Sequence, residues 1–198
     1  MELETARLRL RPVTDDDVDE LVALHSDPDV MRYLGPPTET AENVRGVLLP
    51  AFHSLDARTP GFGYAVAEER ATGAFLGWFL FRPPRTDDPA PGEIELGYRL
   101  HRAAWGRGVA TEGSRALVDR GFAELGVERV VATTMAVNAG SRRVMEKVGL
   151  RYVRTVPAEF DEPLPGSEHG EVEYALTRTA WSGAGGAGGP APSAATPR

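Results

Sequence analysis

Polar and apolar residues alternate in Arg7-Leu-Arg-Leu-Arg11, the period-two signature of a half-buried strand, and the period then lengthens. Thr14 and the three aspartates after it cap a predicted helix that carries Val18, Leu21, Val22 and Leu24 on one face. After the Gly35-Pro36-Pro37 break, Val44, Val47, Leu48, Ala51, Phe52 and Leu55 recur at helical spacing. Gly46 and Pro50 predict that this helix is kinked or divided, with an outer part that can serve as a lid. Gly63 to Glu69 and Ala74 to Phe81 are apolar, aromatic and punctuated by Ala71-Thr72-Gly73, which predicts a central antiparallel hairpin.

Arg82 to Gly92, rich in proline and aspartate, reads as an exposed connection to a strand over Glu93 to Leu100. A helix over Glu112 to Leu125, a buried strand over Arg129 to Met135 and a helix over Ser141 to Val148 follow. Strands near Arg151 to Val156 and Val172 to Thr177 close the pattern, giving mixed strands with two crossover helices. From Ser182 onward Gly, Ala, Pro and Ser replace every large apolar residue. Ordering such a segment costs roughly 1–2 kcal/mol per residue with no burial to offset it. The expected organisation is one domain over 1–181 and a disordered tail over 182–198.

Composition narrows the chemistry. With 198 residues, 41% hydrophobic and 26% charged, the chain can bury a core without covalent staples. It contains no cysteine, which excludes disulfides, thiolate metal sites and a catalytic thiol and is compatible with a reducing cytoplasm. The start, Met-Glu-Leu-Glu-Thr, lacks the basic-then-apolar order of an export signal, and the apolar run near Ala74 to Phe81 falls short of the roughly 20 residues of a membrane helix. A cytoplasmic protein without membrane contact is expected. The net charge of −7 has the wrong sign for general nucleic-acid binding and suits cationic acceptors, although mild acidity also serves solubility alone. Histidines at 25, 53, 101 and 169 lack ligand spacing, so no metal is expected.

The segment Trp105-Gly-Arg-Gly-Val-Ala-Thr111 lies between a strand and a helix. Gly106 and Gly108 permit tight backbone geometry there, so successive N–H groups can converge on an anion at the positive end of the helix dipole. A pyrophosphate-bearing cofactor suits such a turn. The NAD fingerprint wants a third small residue where Thr111 stands, and the ATP loop wants a Gly-Lys-Ser/Thr ending that is absent. In the preceding strand Glu93 and Glu95 share a face opposite Ile94 and Leu96, so a carboxylate can point into a cleft. A second segment opens with the capping amide of Asn138 and closes on Gly149.

Together, Glu95-Leu-Gly-Tyr-Arg-Leu100, Trp105-Gly-Arg-Gly-Val-Ala-Thr-Glu112 and the Asn138-x-x-Ser141-x-x-x-x-Glu146-Lys-x-Gly149-Leu150 run resemble the GNAT superfamily of N-acetyltransferases. Within it they resemble the Rim-type branch, which resembles ribosomal-protein-alanine N-acetyltransferases. The resemblance extends from Thr5 to Trp181. It implies an α+β, mixed α/β fold whose mostly antiparallel twisted sheet of about six or seven strands splays at the cofactor site, flanked by about four helices. It implies acetyl-CoA as co-substrate and no metal. The pyrophosphate would rest on N–H groups of Gly106, Arg107, Gly108, Val109 and Ala110, with Thr111 completing the turn. The pantetheine arm would pair with the strand at Tyr98, Arg99 and Leu100, and Asn138 would anchor it from the other side. Trp105 would pack beneath the turn as scaffold. Arg102, Arg107, Arg142 and Arg143 are either phosphate contacts or solvated charges.

Many members carry a tyrosine seven residues after the asparagine to protonate the departing thiolate, and Met145 occupies that place here. The Rim-type branch points instead to Ser141, as proton donor or simply as a first-turn serine satisfying backbone groups. Glu95 matches the family's glutamate three before the tyrosine and is the candidate general base, acting directly or through a water, the alternative being an exposed strand charge. Glu93 is expected to face solvent, and His101 is a second candidate base. The tetrahedral oxyanion would be held by a strand N–H near Leu100.

The expected partner is a primary-amine acceptor. A protein N-terminal α-amine is the easier nucleophile, because its reference pKa lies about 2.5 units below that of lysine, worth roughly 3.4 kcal/mol. A small molecule such as an antibiotic or polyamine, or a non-catalytic acyl-CoA-binding role, are the alternatives. The loop over Ala158 to Gly170, with Glu159, Asp161, Glu162, Glu168 and His169, either attracts a cationic acceptor or is merely acidic and flexible. A homodimer is compatible with the family and not dictated by any motif.

Overall fold

Alternation along the strands divides the molecule into two cores, one on each face of a single sheet. In a computed structural model the residues described are 1–184 apart from Thr38, Asp87, Asp88, Glu159 and Asp161. The eight strands are β1 (Leu3–Glu4), β2 (Leu8–Arg11), β3 (Gly63–Glu69), β4 (Phe75–Arg82), β5 (Glu93–Leu100), β6 (Arg129–Met135), β7 (Arg151–Val156) and β8 (Glu171–Thr177), in the spatial order β1-β2-β3-β4-β5-β6-β8-β7. Only the β5–β6 pair is parallel. The fold is therefore the expected mixed, mostly antiparallel α/β sheet, with β3 and β4 internal. Its first strand, too short to show a period, was not predicted.

One face carries helices α5 (Val109–Glu124) and α6 (Ala139–Val148), packed on Leu8, Leu10, Phe79, Phe81, Ile94 and Leu96 among others. The approach is close enough to dictate glycine. A Cβ on Gly113 would fall 2.3 Å from the Phe79 ring, and one on Gly121 would fall 2.7 Å from Phe81. Helix α5 thus lies directly on β4, which fixes the position of its N-terminus.

The other face is covered by α1 (Val18–Ser26), α2 (Pro28–Met31), α3 (Ala41–Asn43), a π-helical segment over Val44–Leu48 and α4 (Leu49–Arg58). Val18, Leu21, Leu24, Val44 and Phe52 pack there against Tyr64, Val66, Trp78 and Leu80. The helix predicted to be divided is indeed interrupted, at the wide turn containing Gly46 and just before Pro50.

Three boundaries differ from expectation. Arg82 is the last residue of β4 and is buried, because the apolar run Phe79-Leu-Phe continues its ladder through Arg82 opposite Glu95. Helix α5 begins at Val109, directly after Gly108. Helix α7 (Arg178–Ala184) carries the chain past Trp181, so Ser182 to Ala184 are helical, and the rest of the expected tail lies outside the described residues. The Trp181 indole N–H donates to Asp119 at 2.7 Å and its ring lies against Phe122, which seats α7 on α5. Among the described residues no helix is long and apolar enough to cross a membrane, and no group of three potential metal ligands occurs.

Candidate active site

The turn between β5 and α5 is built from two left-handed glycines. Gly106 has φ +71° and Gly108 has φ +80°, a region that residues with a Cβ enter only with strain. Gly108 is the N-cap of the 16-residue α5 and no side chain caps it. The first intrahelical bond at this end is Glu112 N–H to Gly108 C=O, so the N–H groups of Val109, Ala110 and Thr111 precede the ladder. Gly106, Arg107 and Gly108 are exposed, and a Cβ at Gly106 would meet nothing within 4 Å. Open space above convergent donors at a helix N-terminus fits a diphosphate.

A remote brace holds this turn. Glu112 accepts from the Arg7 N–H at 2.9 Å, the Arg7 Nε at 2.7 Å and the Thr5 hydroxyl at 2.6 Å. Arg7 in turn donates to the Arg107 carbonyl at 2.8 Å. Burial pushes the Glu112 carboxyl up, but the bonds from Thr5 and Arg7 outweigh it and hold the group below its usual range. At the other end the Trp105 indole N–H donates to the Leu100 carbonyl at 2.9 Å, tying the turn to β5, while its ring stays 48% exposed. A groove lined by Thr5, Arg7, Gly108, Thr111, Arg115 and Lys147 opens beside the turn.

Strand β5 pairs with β6 only at Glu93, Ile94 and Glu95. Beyond Glu95 the two strands part, since β6 continues its ladder with β8 as far as Met135. The N–H of His101 donates to Leu76, and ladder bonds alternate along an antiparallel pair. Arg99 and Gly97 therefore bond to β4, whereas the backbone N–H groups of Tyr98 and Leu100 face the gap. The two strands thus splay, leaving main-chain donors at Tyr98 and Leu100 without a partner strand.

The two faces of β5 carry different chemistry. On the α5–α6 face the Tyr98 hydroxyl lies 3.0 Å from Ser141 Oγ, and burial pushes the phenol up to about 12 against the smaller effect of that bond. Asn138 caps α6 through its Oδ1, which accepts from the Ser141 N–H at 3.1 Å, while its Nδ2 donates to Thr134 at 3.0 Å. Met145 is buried beneath. On the opposite face Glu95 meets the buried Arg82 at 2.7 Å, and Arg82 also donates to the Pro83 carbonyl at 2.7 Å. Arg99 lies over the Trp78 ring, 5.2 Å from its centroid, and burial pulls it down to about 10. The Trp78 indole N–H donates to His25 Nε2 at 3.0 Å. His25 is held down to about 4, first by burial and next by the charge of Arg99, with Glu39 acting the other way.

The expected arginines disperse. Arg102 pairs with Asp29 on α2, and Arg107 with Glu69 on β3. Arg142 turns inward, donating to Tyr174 at 3.2 Å and to the Ala136 carbonyl at 3.0 Å. Arg143 is exposed. Glu93 does not face solvent: its side chain is 15% exposed and pairs with Arg129, which also holds Glu173. His101 stands 3.6 Å from Glu20 and against Phe75. In the acidic loop, Glu159 and Asp161 lie outside the described residues, and His169 stands 3.7 Å from Glu168. Arg7, Glu112 and Arg82 were missed by sequence reasoning. Only Arg82 left a local signal, as the residue closing an unbroken apolar strand.

Comparison with known proteins adds an independent line. A family model described as an acetyltransferase (GNAT) domain matches residues 7–151. The chain is 38% identical over 187 residues to the FsC-acetyl coenzyme A-N(2)-transacetylase of Aspergillus fumigatus, covering 90% of this chain and 77% of that protein. Among solved structures, RimL, a ribosomal L7/L12 alpha-N-protein acetyltransferase in complex with coenzyme A, superposes with a TM-score of 0.75 at 18% identity, covering 89% of this chain and 98% of that one. A spermidine N-acetyltransferase from Vibrio cholerae in complex with CoA and spermine superposes with a TM-score of 0.72 at 14% identity, covering 89% and 99%.

Proposed function

The chain belongs to the GNAT acetyltransferase family and is an acetyl-CoA-dependent N-acetyltransferase, and from that premise we propose that it acetylates an α-amine by direct attack, with Glu95 as base and Ser141 as proton donor. The observation that carries this reading is the parting of β5 from β6 immediately after Glu95, with the Gly106–Gly108 turn at the far end of the same strand. The gap has the Glu95 carboxylate on one face of β5 and the Ser141 hydroxyl on the other, which would suit a thioester bound there.

The coenzyme supplies an activated acyl group whose leaving group is a thiolate. The N–H groups from Gly106 to Ala110 would hold the diphosphate, each bond to a charged oxygen contributing on the order of 1.5–3 kcal/mol against about 0.3–1 from the helix dipole. Arg115 and Lys147, in the groove beside the turn, suit the nucleotide end. The N–H groups of Tyr98 and Leu100 bind the arm and polarise the thioester carbonyl.

The attacking nitrogen turns acidic as its bond to carbon forms, and Glu95, oriented by Arg82 at 2.7 Å, takes the proton directly or through one water. On the other face Ser141 Oγ would donate to the leaving sulfur, and the Tyr98 hydroxyl, 3.0 Å away and kept protonated by burial, positions it. An α-amine fits this base, because a lysine amine would first have to lose a proton at a further cost of about 3.4 kcal/mol at neutral pH.

The test is coenzyme A thiol release with matched peptides, one series with a free N-terminus and no lysine, the other blocked at the N-terminus and carrying one lysine. Release at pH 7 with the first series, at least tenfold faster than with the second, is expected. Equal or reversed rates contradict the reading.

A further inference from the structure

Two guanidinium groups lie on the α1–α4 face of the β4–β5 pair, and only one of them has a carboxylate against it. Arg82 pairs with Glu95. Among the described residues the Arg99 guanidinium makes no hydrogen bond and no ion pair, its Nε is buried without a partner, and it lies over the Trp78 ring. Tyr64 and, after it, Glu39 favour its charge without bonding to it, Glu39 standing 3.6 Å from His25 Nδ1. His25 beside it supplies no counter-charge, since its protonated form would repel Arg99 and burial together with Arg99 holds it neutral. A largely buried cation with no carboxylate bonded to it is costly, and a planar five-donor fork of this kind matches one.

Its place in the strand says where that carboxylate would belong. Arg99 and Glu95 project from the same face of β5, separated by Gly97, which has no side chain to intervene. Their Cα atoms are roughly 13 Å apart along the strand, and the two long side chains flank the floor left bare by Gly97, so a molecule lying on that floor can reach both. The net charge of −7 suggests cationic acceptors, but charges on the far surface are screened beyond roughly 8–10 Å, whereas Arg99 acts locally.

We propose that the acceptor carries a carboxylate close to its reacting amine, and that Arg99 binds it. The inference rests on the α-amine reading above and narrows it, away from polyamines and aminoglycosides and towards a free amino acid or a chain whose first residue is acidic. The chemistry is the same in both, a carboxylate within a few bonds of the nitrogen.

The test compares kcat/KM within matched pairs: a free amino acid against its amide, and an Asp-first peptide against its Asn-first counterpart, with spermidine alongside. Within the first pair the free carboxylate makes the amine more basic, so intrinsic reactivity favours the amide and a preference for the acid reports recognition. A preference of at least tenfold for the acidic member of one pair is expected, and which pair shows it identifies the source. Arg99→Gln should bring that ratio towards one, through KM rather than kcat, and Arg99→Lys should retain part of it. Turnover of α-amines with a ratio near or below one in both pairs overturns the inference alone, as does a ratio unchanged in both variants. Should either variant fail to fold, the wild-type ratio still decides which acceptor is taken. Turnover confined to ε-amines or spermidine overturns the α-amine reading and the inference with it.

Discussion

The two faces of β5 satisfy their polar groups in different ways. On the α5–α6 face the donors offered to a ligand are main-chain N–H groups, held by left-handed glycines and by the Arg7–Glu112 brace, and the side chains of Asn138, Ser141 and Arg142 already have partners. On the α1–α4 face the groups are side chains, and Arg99 and Arg82 each leave a buried Nε without a partner. A site for a fixed ligand can be written into backbone conformation, which strains little and reorganises little. A site that must tell one amine from another uses charged side chains at incomplete neutralisation, where a change of one residue changes the preference.

The comparison breaks most visibly at the pair flanking the gap. Glu95→Gln should lower kcat/KM by about 10²–10⁴, with the loss greatest at low pH, whereas Ser141→Ala, on the face where a thiolate leaves with little help, should lose about tenfold at most. Stopped-flow thiol release over pH 6 to 9 separates the two. Equal losses would mean that the faces do not divide the proton transfers as described.

The next effect is on stability. Gly113→Val places atoms where the Phe79 ring already sits, 2.3 Å from the position of a Cβ, and should destabilise the fold by about 1–3 kcal/mol, read as a lowered urea midpoint. An unaltered midpoint would show that α5 is free to lift from β4, and that the turn is not fixed by packing.

The smallest effect sharpens the acceptor side. His25 is held down to about 4, below its ordinary value near 6.5, so the unfolded chain binds more protons than the folded one between those two values. Its contribution to stability is complete above about pH 6.5 and is lost as pH falls towards 4. Between pH 6.5 and 5.5 the decline should be about 1 kcal/mol. In His25→Gln that decline should largely vanish, and an identical slope in urea unfolding across this range would contradict the burial of a neutral imidazole beside Arg99.

What was legible in the sequence follows the same division. The turn could be read because Gly106 and Gly108 act on their own φ angles, within a few residues of the helix they open. The alternation of Glu93 to Leu100 likewise announced which β5 residues share a face. Long-range pairings were invisible. Arg7 and Glu112 are 105 residues apart, and neither carries a local mark of the bond. Arg82 was assigned to the proline-rich connection because charge and a following proline outweighed the strand before it, yet its place opposite Glu95 in the ladder is what orients the candidate base. Arg102 and Arg107 could be read from the sequence as phosphate contacts or as solvated charges, and their pairing with Asp29 and Glu69, brought close by α2 and β3, left no local mark. Glu93 was expected in solvent because the parallel partner strand that delivers Arg129 could not be inferred from the residues around it.

The central claim is that main-chain amides, rather than arginine side chains, grip the coenzyme. Calorimetric titration of coenzyme A into Gly108→Val and Arg102→Ala, beside the unaltered protein, tests it most directly. Gly108 adopts φ +80° with the Arg7 guanidinium 3.3 Å from the position of a Cβ, so the valine should cost at least a hundredfold in Kd, while removal of Arg102, paired to Asp29, should change Kd by less than about threefold. Tight binding by Gly108→Val together with its loss in Arg102→Ala would contradict the account.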